Sequence, residues 1–274
     1  MAEYLKLPGF DVSGKPRVLA VANQKGGVGK TTTTINLGAA LVAVGAKVLL
    51  VDLDPQGNAS TGLGVTQQMR QRTSYDVLMG EATLAESVIE TKVPGLFLAP
   101  GDADLSGVEL ELGRVAGRAF RLRDALASAG ALGFDYVLID CPPSLNLLTV
   151  NALAAADAVL APLQCEFFAL EGLSQLMGTI EEVRATLNPR LAMQGVVLTM
   201  YDRRNALSGQ VARDVRANLG ERVYETVIPR NVRVSEAPSF GMPSLIYDLN
   251  CAGSRAYLGL AKEFIARERA RLAA

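Results

Sequence analysis

Short apolar runs alternate with longer stretches of helical periodicity along most of this chain. Residues 18–22, 48–51, 96–99, 136–139, 158–162, 195–199 and 223–228 read as strands. Several are apolar at every position, the pattern of parallel strands covered on both faces. Helical patterns fill the intervals near 31–44, 105–129, 145–155, 168–187, 207–219 and 253–268. The alternation predicts an α/β fold, a doubly wound, mostly parallel sheet flanked by helices. Right-handed crossovers then gather the loops that follow the strands on one edge, where ligands bind. No repeat or low-complexity tract divides the chain, so residues 17–274 are expected to form a single domain. Residues 1–16 carry Pro8, Gly9, Gly14 and Pro16 without a long apolar segment. They read as a flexible N-terminal extension and do not fit a secretory signal.

Composition narrows the chemistry. Of 274 residues, 49% are hydrophobic and 20% charged, which is ordinary for a globular protein. The net charge of −1 means that any affinity for nucleic acid must come from a local patch. Histidine is absent, so any base is a carboxylate and any cation that stabilises a transition state is Lys or Arg. The three cysteines are widely spaced and form no C-x-x-C pair. That argues for a reducing, cytoplasmic setting and against a disulfide framework or a zinc site. No run of about 18 apolar residues is present to span a membrane. The longest candidate, 147–163, is interrupted by Asn151 and Asp157.

The run Lys25-Gly26-Gly27-Val28-Gly29-Lys30-Thr31-Thr32 lies between a predicted strand and a predicted helix, the context of a phosphate-binding loop of the P-loop NTPase type. The glycines let consecutive N–H groups turn toward phosphate oxygens, and the helix N-terminus adds partial positive charge. Lys30 can reach the β- and γ-phosphates as a mobile charge, and the Thr31 hydroxyl is placed to ligate Mg²⁺. Lys25 at the loop mouth reads either as a solvated lysine or as a second cation for the phosphates.

Two further segments carry acids at predicted strand ends. Asp52 and Asp54 close the strand at 48–51, and alternation in an extended chain turns both carboxylates the same way. They read as solvated acids opening a turn at Pro55 or as a pair facing a Mg-nucleotide. Asp140 follows the apolar run Tyr136-Val137-Leu138-Ile139, the Walker B pattern of a Mg²⁺-holding carboxylate. Pro142 and Pro143 stiffen the exit, Ser144 can cap the next helix, and Cys141 reads as a small buried apolar residue.

Between Arg203 and Arg233 stand seven arginines and no lysine, against the acids Asp214, Glu221 and Glu225; seven less three leaves a local +4. Such a cluster is either a solvated face or a surface for sequence-independent phosphate contact. Tyr224 is its one aromatic residue, which disfavours single-strand stacking.

The loop resembles the deviant Walker A ATPases, which read K-G-G-x-G-K-[ST]. The resemblance extends to Val51-Asp52-Leu53-Asp54-Pro55-Gln56-Gly57-Asn58, Asp140-Cys141-Pro142-Pro143-Ser144 and Ile228-Pro229-Arg230-Asn231-Val232-Arg233. Together these are similar to the ParA/Soj branch, the chromosome- and plasmid-partitioning ATPases, over about residues 17–266. The resemblance implies ATP and Mg²⁺ as ligands, and no Asn-Lys-x-Asp motif favours GTP. It implies that Asp54 orients the attacking water, that Asp52 lies close to the metal shell, and that Lys25 reaches the nucleotide of a partner subunit in an ATP-bound homodimer. By the same resemblance Pro229 and Asn231 belong to the adenine side, although a rigid turn explains them equally. Arg204 and Arg233 match DNA-contacting arginines. Slow hydrolysis, non-specific binding to duplex DNA on the nucleoid and stimulation by a ParB-like partner complete the expectation. A MinD-like membrane-cycling ATPase is the alternative. It requires a C-terminal amphipathic anchor, whereas 266–271 is mostly charge and alanine. An ATP-dependent metabolic enzyme and a non-hydrolysing switch are further readings with the same loop.

Overall fold

A computed structural model describes residues 15–127 and 132–273 of the chain. Most of the extension expected over 1–16 therefore lies outside the described residues. Seven strands form one sheet: β1 (Arg17–Val21), β2 (Val48–Asp52), β3 (Ile89–Glu90), β4 (Leu96–Ala99), β5 (Tyr136–Asp140), β6 (Ala158–Gln164) and β7 (Ala192–Thr199). Their order is β3-β4-β2-β5-β1-β6-β7. Every pairing is parallel except the short β3–β4 edge. The first half of the chain supplies helices α1 (Lys30–Ala43), α2 (Asn58–Gly62), α3 (Ser74–Met79), α4 (Leu84–Ser87), α5 (Val108–Glu111) and α6 (Arg121–Leu126). The second supplies α7 (Leu147–Ala155), α8 (Ala169–Thr186), α9 (Ala206–Leu219), α10 (Val232–Glu236), α11 (Ser244–Tyr247) and α12 (Ala252–Ala273).

The central strands are apolar throughout because both faces are covered. Along β2, Leu49 and Val51 enter one core while Val48 and Leu50 enter the other. One core packs against α7, α8 and α9; the second packs beneath α1 and α12. The chain reverses direction across the sheet at β1, whose neighbours are β5 and β6, so the loops after these strands open at one edge.

Three expectations change. Residues 223–228 form no strand, although Val223 bridges Val196 and Pro229 bridges Tyr201. Tyr224 and Ile228 still donate to the Val196 and Leu198 carbonyls of β7 at 2.9 and 2.8 Å, but between them the Glu263 carboxylate of α12 accepts the Glu225 and Thr226 N–H groups at 2.9 Å each, which interrupts the ladder. The helix expected over 105–129 breaks at Gly113 and at Gly117, which holds φ +72°; its last two residues lie outside the described residues. Asn146, and not Ser144, caps α7, accepting from the Leu148 and Thr149 N–H groups at 3.1 and 3.2 Å. Short α2, α3, α4, α10 and α11, together with the β3 edge, carry too few residues for a periodic signal.

Strand β7 holds an extra residue opposite β6 at Val159/Leu160, and Gly195 next to this bulge has φ +149°. A Cβ there would lie 2.7 Å from the Arg222 carbonyl oxygen and 2.7 Å from the Tyr224 ring. Gly195→Ala is expected to lower unfolding stability by about 1–3 kcal/mol in chemical denaturation, the range for overpacking, with the fold retained.

Candidate functional site

The chain leaves β1 through Ala22 and Asn23 and returns as α1 after a glycine turn. Gly27 and Gly29 have φ +75° and +91°, which a side-chain-bearing residue rarely adopts. The turn is pinned from outside. Asn23 donates to the Pro162 carbonyl at 2.8 Å and accepts the Lys25 N–H at 3.0 Å. Thr199 at the end of β7 donates to the Val28 carbonyl at 2.8 Å, and Gln24 donates to Thr179 at 2.9 Å. Lys30 Nζ donates back to the Lys25 carbonyl at 2.9 Å, closing the loop on itself. Burial holds the Lys30 ammonium below its ordinary value, while Asp140, Cys141 and Asp54 oppose the shift.

This loop borders a cavity of about 560 Å³. Gly26, Gly27, Gly29, Lys30, Thr31 and Thr32 form one wall, and Asp54, Asn58, Pro142 and Asn146 stand among the residues opposite. Lys25 is not among the lining residues. Its ammonium pairs with Glu166, just beyond β6, and both side chains remain about one-third exposed (39% and 32%).

The acids separate. Asp54 lines the cavity and accepts the Gln56 N–H at 3.0 Å. Asp52 does not face the same way. β2 ends there, and Asp52 turns to Ser60, accepting its N–H at 2.9 Å and its hydroxyl at 2.7 Å, and accepts the Asp54 N–H at 3.2 Å. Asp140 is the register partner of Asp52 on the neighbouring strand and is fully buried. Its Oδ1 accepts from Thr34 at 3.3 Å, while its Oδ2 has no hydrogen-bond partner among the described residues. Burial and then the adjacent Asp52 raise the Asp140 carboxyl well above the carboxylate range. Burial likewise pushes Asp52 up to about 6, against its hydrogen bonds from Ser60. A buried carboxylate oxygen without a partner, beside a threonine hydroxyl, is a donor set suited to a hard divalent cation. Burial also raises the Cys141 thiol, in keeping with an inert packing residue.

A smaller hollow of about 160 Å³ adjoins the first, sharing Gly29, Thr32 and Met200 with it. Pro229 and Asn231 line it, together with Tyr257. Asn231 also caps α10, accepting the Val234 N–H at 3.3 Å. Met200 stands between the two hollows at φ +50°, a costly backbone for a non-glycine residue.

Beyond Pro229 a third concavity, about 910 Å³, collects Arg203, Arg204, Arg216, Arg230 and Arg255 with Asp202 as its one acid. Arg204 is 90% exposed in its side chain and holds Asp202 through Nε at 3.1 Å and Nη2 at 3.2 Å. Arg233 sits apart on α10, paired with Glu236 at 3.0 Å and Asp248 at 3.6 Å. Sequence reasoning missed Arg255, which lies outside the 203–233 window. It also missed Glu166, Ser60 and Met200. Glu166 alone had a readable signal, an acid directly after a strand at the ligand-binding edge.

A family model described as an AAA domain matches residues 16–193. The chain is 70% identical over 258 residues to the chromosome partitioning protein ParA of Caulobacter vibrioides, covering 94% of this chain and 97% of that one. It is 50% identical over 250 residues to the sporulation initiation inhibitor protein Soj of Bacillus subtilis, covering 91% and 98%. Among solved structures, a Mycobacterium smegmatis cobyrinic acid a,c-diamide synthase with bound ATP analog and magnesium aligns with TM-score 0.79. That chain is 41% identical, with 90% of this chain and 93% of the other covered.

The paired carboxyls give a pH signature. Asp52 titrates higher in the fold than in the unfolded chain, so the folded state holds its proton more tightly. Its contribution to stability is fully present below about 4 and is lost as pH rises through about 6. Denaturation midpoints without divalent metal should therefore fall across that window for the native chain, and less steeply for Asp52→Asn.

Proposed function

The chain belongs to the ParA/Soj family of partitioning ATPases, and from that premise we propose a slow, dimer-dependent Mg-ATPase that partitions chromosome or plasmid DNA. The reaction is ATP plus water to ADP plus phosphate. The observation that carries the reading is the division of labour between two lysines. Lys30 faces the cavity from the base of the loop, whereas Lys25 stands outside it with Glu166 as partner.

In the proposed ground state the triphosphate lies along the N–H groups of residues 25–32. Lys30 neutralises its β- and γ-oxygens. Thr31 and the free Oδ2 of Asp140 would hold Mg²⁺, which when bound neutralises charge on the phosphate oxygens. Asp52, the register partner of Asp140, acts on it through charge. Asp54, on the opposite wall, orients water toward the terminal phosphate. The adenine occupies the hollow beside Pro229 and Asn231. Lys25 of each subunit supplies its charge to the nucleotide of the other, so turnover requires two chains. All of this is positioning and charge neutralisation, chemistry that a site without histidine can perform.

ATP-dependent pairing also doubles the arginine surface. Two basins carrying Arg204, and Arg233 set apart from each on α10, would contact duplex phosphates without reading bases, so nucleotide state governs DNA affinity through dimerisation. A ParB-like partner would trigger hydrolysis and release the dimer from the nucleoid. In α12 Tyr257, Leu260, Phe264 and Ile265 are buried and Leu272 is the one large apolar residue that is exposed, which leaves little apolar face for a membrane anchor. Among the described residues no helix is long and apolar enough to cross a membrane.

ATP turnover measured with and without duplex DNA and a ParB-like N-terminal peptide tests the whole cycle; no response to either would count against it. Lys25→Ala is expected to lower kcat by about 10³-fold and to abolish the ATP-dependent dimer in light scattering. Full turnover in that variant would remove the trans mechanism. Arg204→Ala should weaken DNA binding by the ATP-bound dimer, and flatten the slope of log K against log salt by about 0.9 for each phosphate no longer neutralised.

A further inference from the structure

The turn that carries Asp54 is held in place by a side chain outside the cavity. Arg70 lies in the connector after α2, and every acceptor of its guanidinium is a neutral oxygen. Nη1 donates to the Gly101 carbonyl at 2.8 Å. Nη2 donates to Thr61 Oγ1 at 2.8 Å, to the Val65 carbonyl at 3.0 Å and to the Gly57 carbonyl at 3.5 Å; Nε reaches Val65 at 3.3 Å. Gly57 closes the turn that begins at Asp54, its N–H donating to the Asp54 carbonyl at 2.8 Å. A Cβ on Gly57, which has φ +59°, would lie 2.4 Å from Arg70 Nη1 and 2.9 Å from the Gly101 oxygen. The guanidinium therefore fills the space against which this turn packs.

The contacts form a closed circuit. Gly101 donates its N–H to Ser60 Oγ at 3.0 Å, and Ser60 in turn donates to Asp52. Asp52 accepts the Asp54 N–H at 3.2 Å. The Asp54 turn is thus fixed at its start by Asp52 and at its end by Arg70, with Gly101 tying the two together. Arginine suits this role because its planar fork meets several fixed carbonyls at once, which a lysine ammonium on a flexible stem cannot do.

We infer that Arg70 is a positioning residue for hydrolysis, holding the Gly57 end of the turn so that Asp54 stays on the cavity wall opposite Lys30. Arg70 is not among the residues that line the cavity. Its effect falls on the orientation of Asp54 and leaves the phosphate loop intact. The inference rests on Asp54 acting on the attacking water.

The test compares Arg70→Lys, Arg70→Gln and Asp54→Ala in the full chain. Three quantities are read: affinity for a fluorescent ATP analogue, ATP-dependent dimerisation, and single-turnover hydrolysis of ATP. Arg70→Lys and Arg70→Gln are expected to lower the hydrolysis rate by about 10- to 100-fold, the loss typical of a small misplacement. Nucleotide affinity should stay within about twofold and the dimer should still form, the same split as in Asp54→Ala. A purely structural role would reduce affinity, dimerisation and hydrolysis together, and that outcome overturns the inference. Native hydrolysis in Arg70→Lys overturns it as well, provided that Asp54→Ala is inactive. Native hydrolysis in Asp54→Ala instead sinks the reading of Asp54 itself. Retained analogue binding in either Arg70 variant also reports that the variant is folded.

Discussion

Two buried carboxyl groups, Asp52 and Asp140, stand side by side at the ends of adjacent parallel strands, and the rest of the site is organised around keeping them there. Strands in a sheet lie roughly 4.8 Å apart, so two ionised carboxylates at matched positions repel strongly in a poorly solvated interior. The fold answers the two differently. Asp52 is satisfied by three hydrogen bonds from Ser60 and Asp54. Asp140 keeps one oxygen without a partner among the described residues, near Lys30. That asymmetry makes one acid an anchor and leaves the other with the oxygen to which the proposed Mg²⁺ is assigned.

The two walls of the cavity are held from different parts of the fold. The glycine turn has few side chains of its own to pack, so Asn23, Gln24 and Thr199 fix it through backbone and hydroxyl contacts from three directions. The opposite wall is a short turn that would otherwise swing with its glycine, and it is tied to the anchor through Ser60, Gly101 and Arg70. One wall is thus referred to β6, β7 and α8 and the other to the end of β2, and the common sheet sets the spacing between them.

Cations are distributed by distance from that centre. Lys30 is buried deeply enough for desolvation to shift it, whereas Lys25, with Glu166, remains partly open at the rim. An exposed ion pair of this type contributes on the order of 0–1 kcal/mol, so it restrains the lysine only lightly and can be exchanged for a phosphate. Arg204 and Arg233 are likewise paired with nearby acids on the surface, held in place without being locked.

Much of this was legible in the sequence. Unbroken apolar strands dictated a covered parallel sheet, and a glycine turn between strand and helix dictated a phosphate cradle. An acid directly after an apolar run located Asp140, because strand ends converge on one edge in this architecture. Residues distant in sequence needed the folded chain. Ser60 separates Asp52 from Asp54 in orientation, Glu263 takes the Glu225 and Thr226 N–H groups away from the ladder with β7, and Gly101 meets Arg70 across a gap of 31 positions. Arg255 joins the other arginines only because α12 starts beside the turn at Pro229. Sequence periodicity records which face of an element is buried. Which polar side chains satisfy one another is decided by contacts between elements, and those exist only once the sheet has closed.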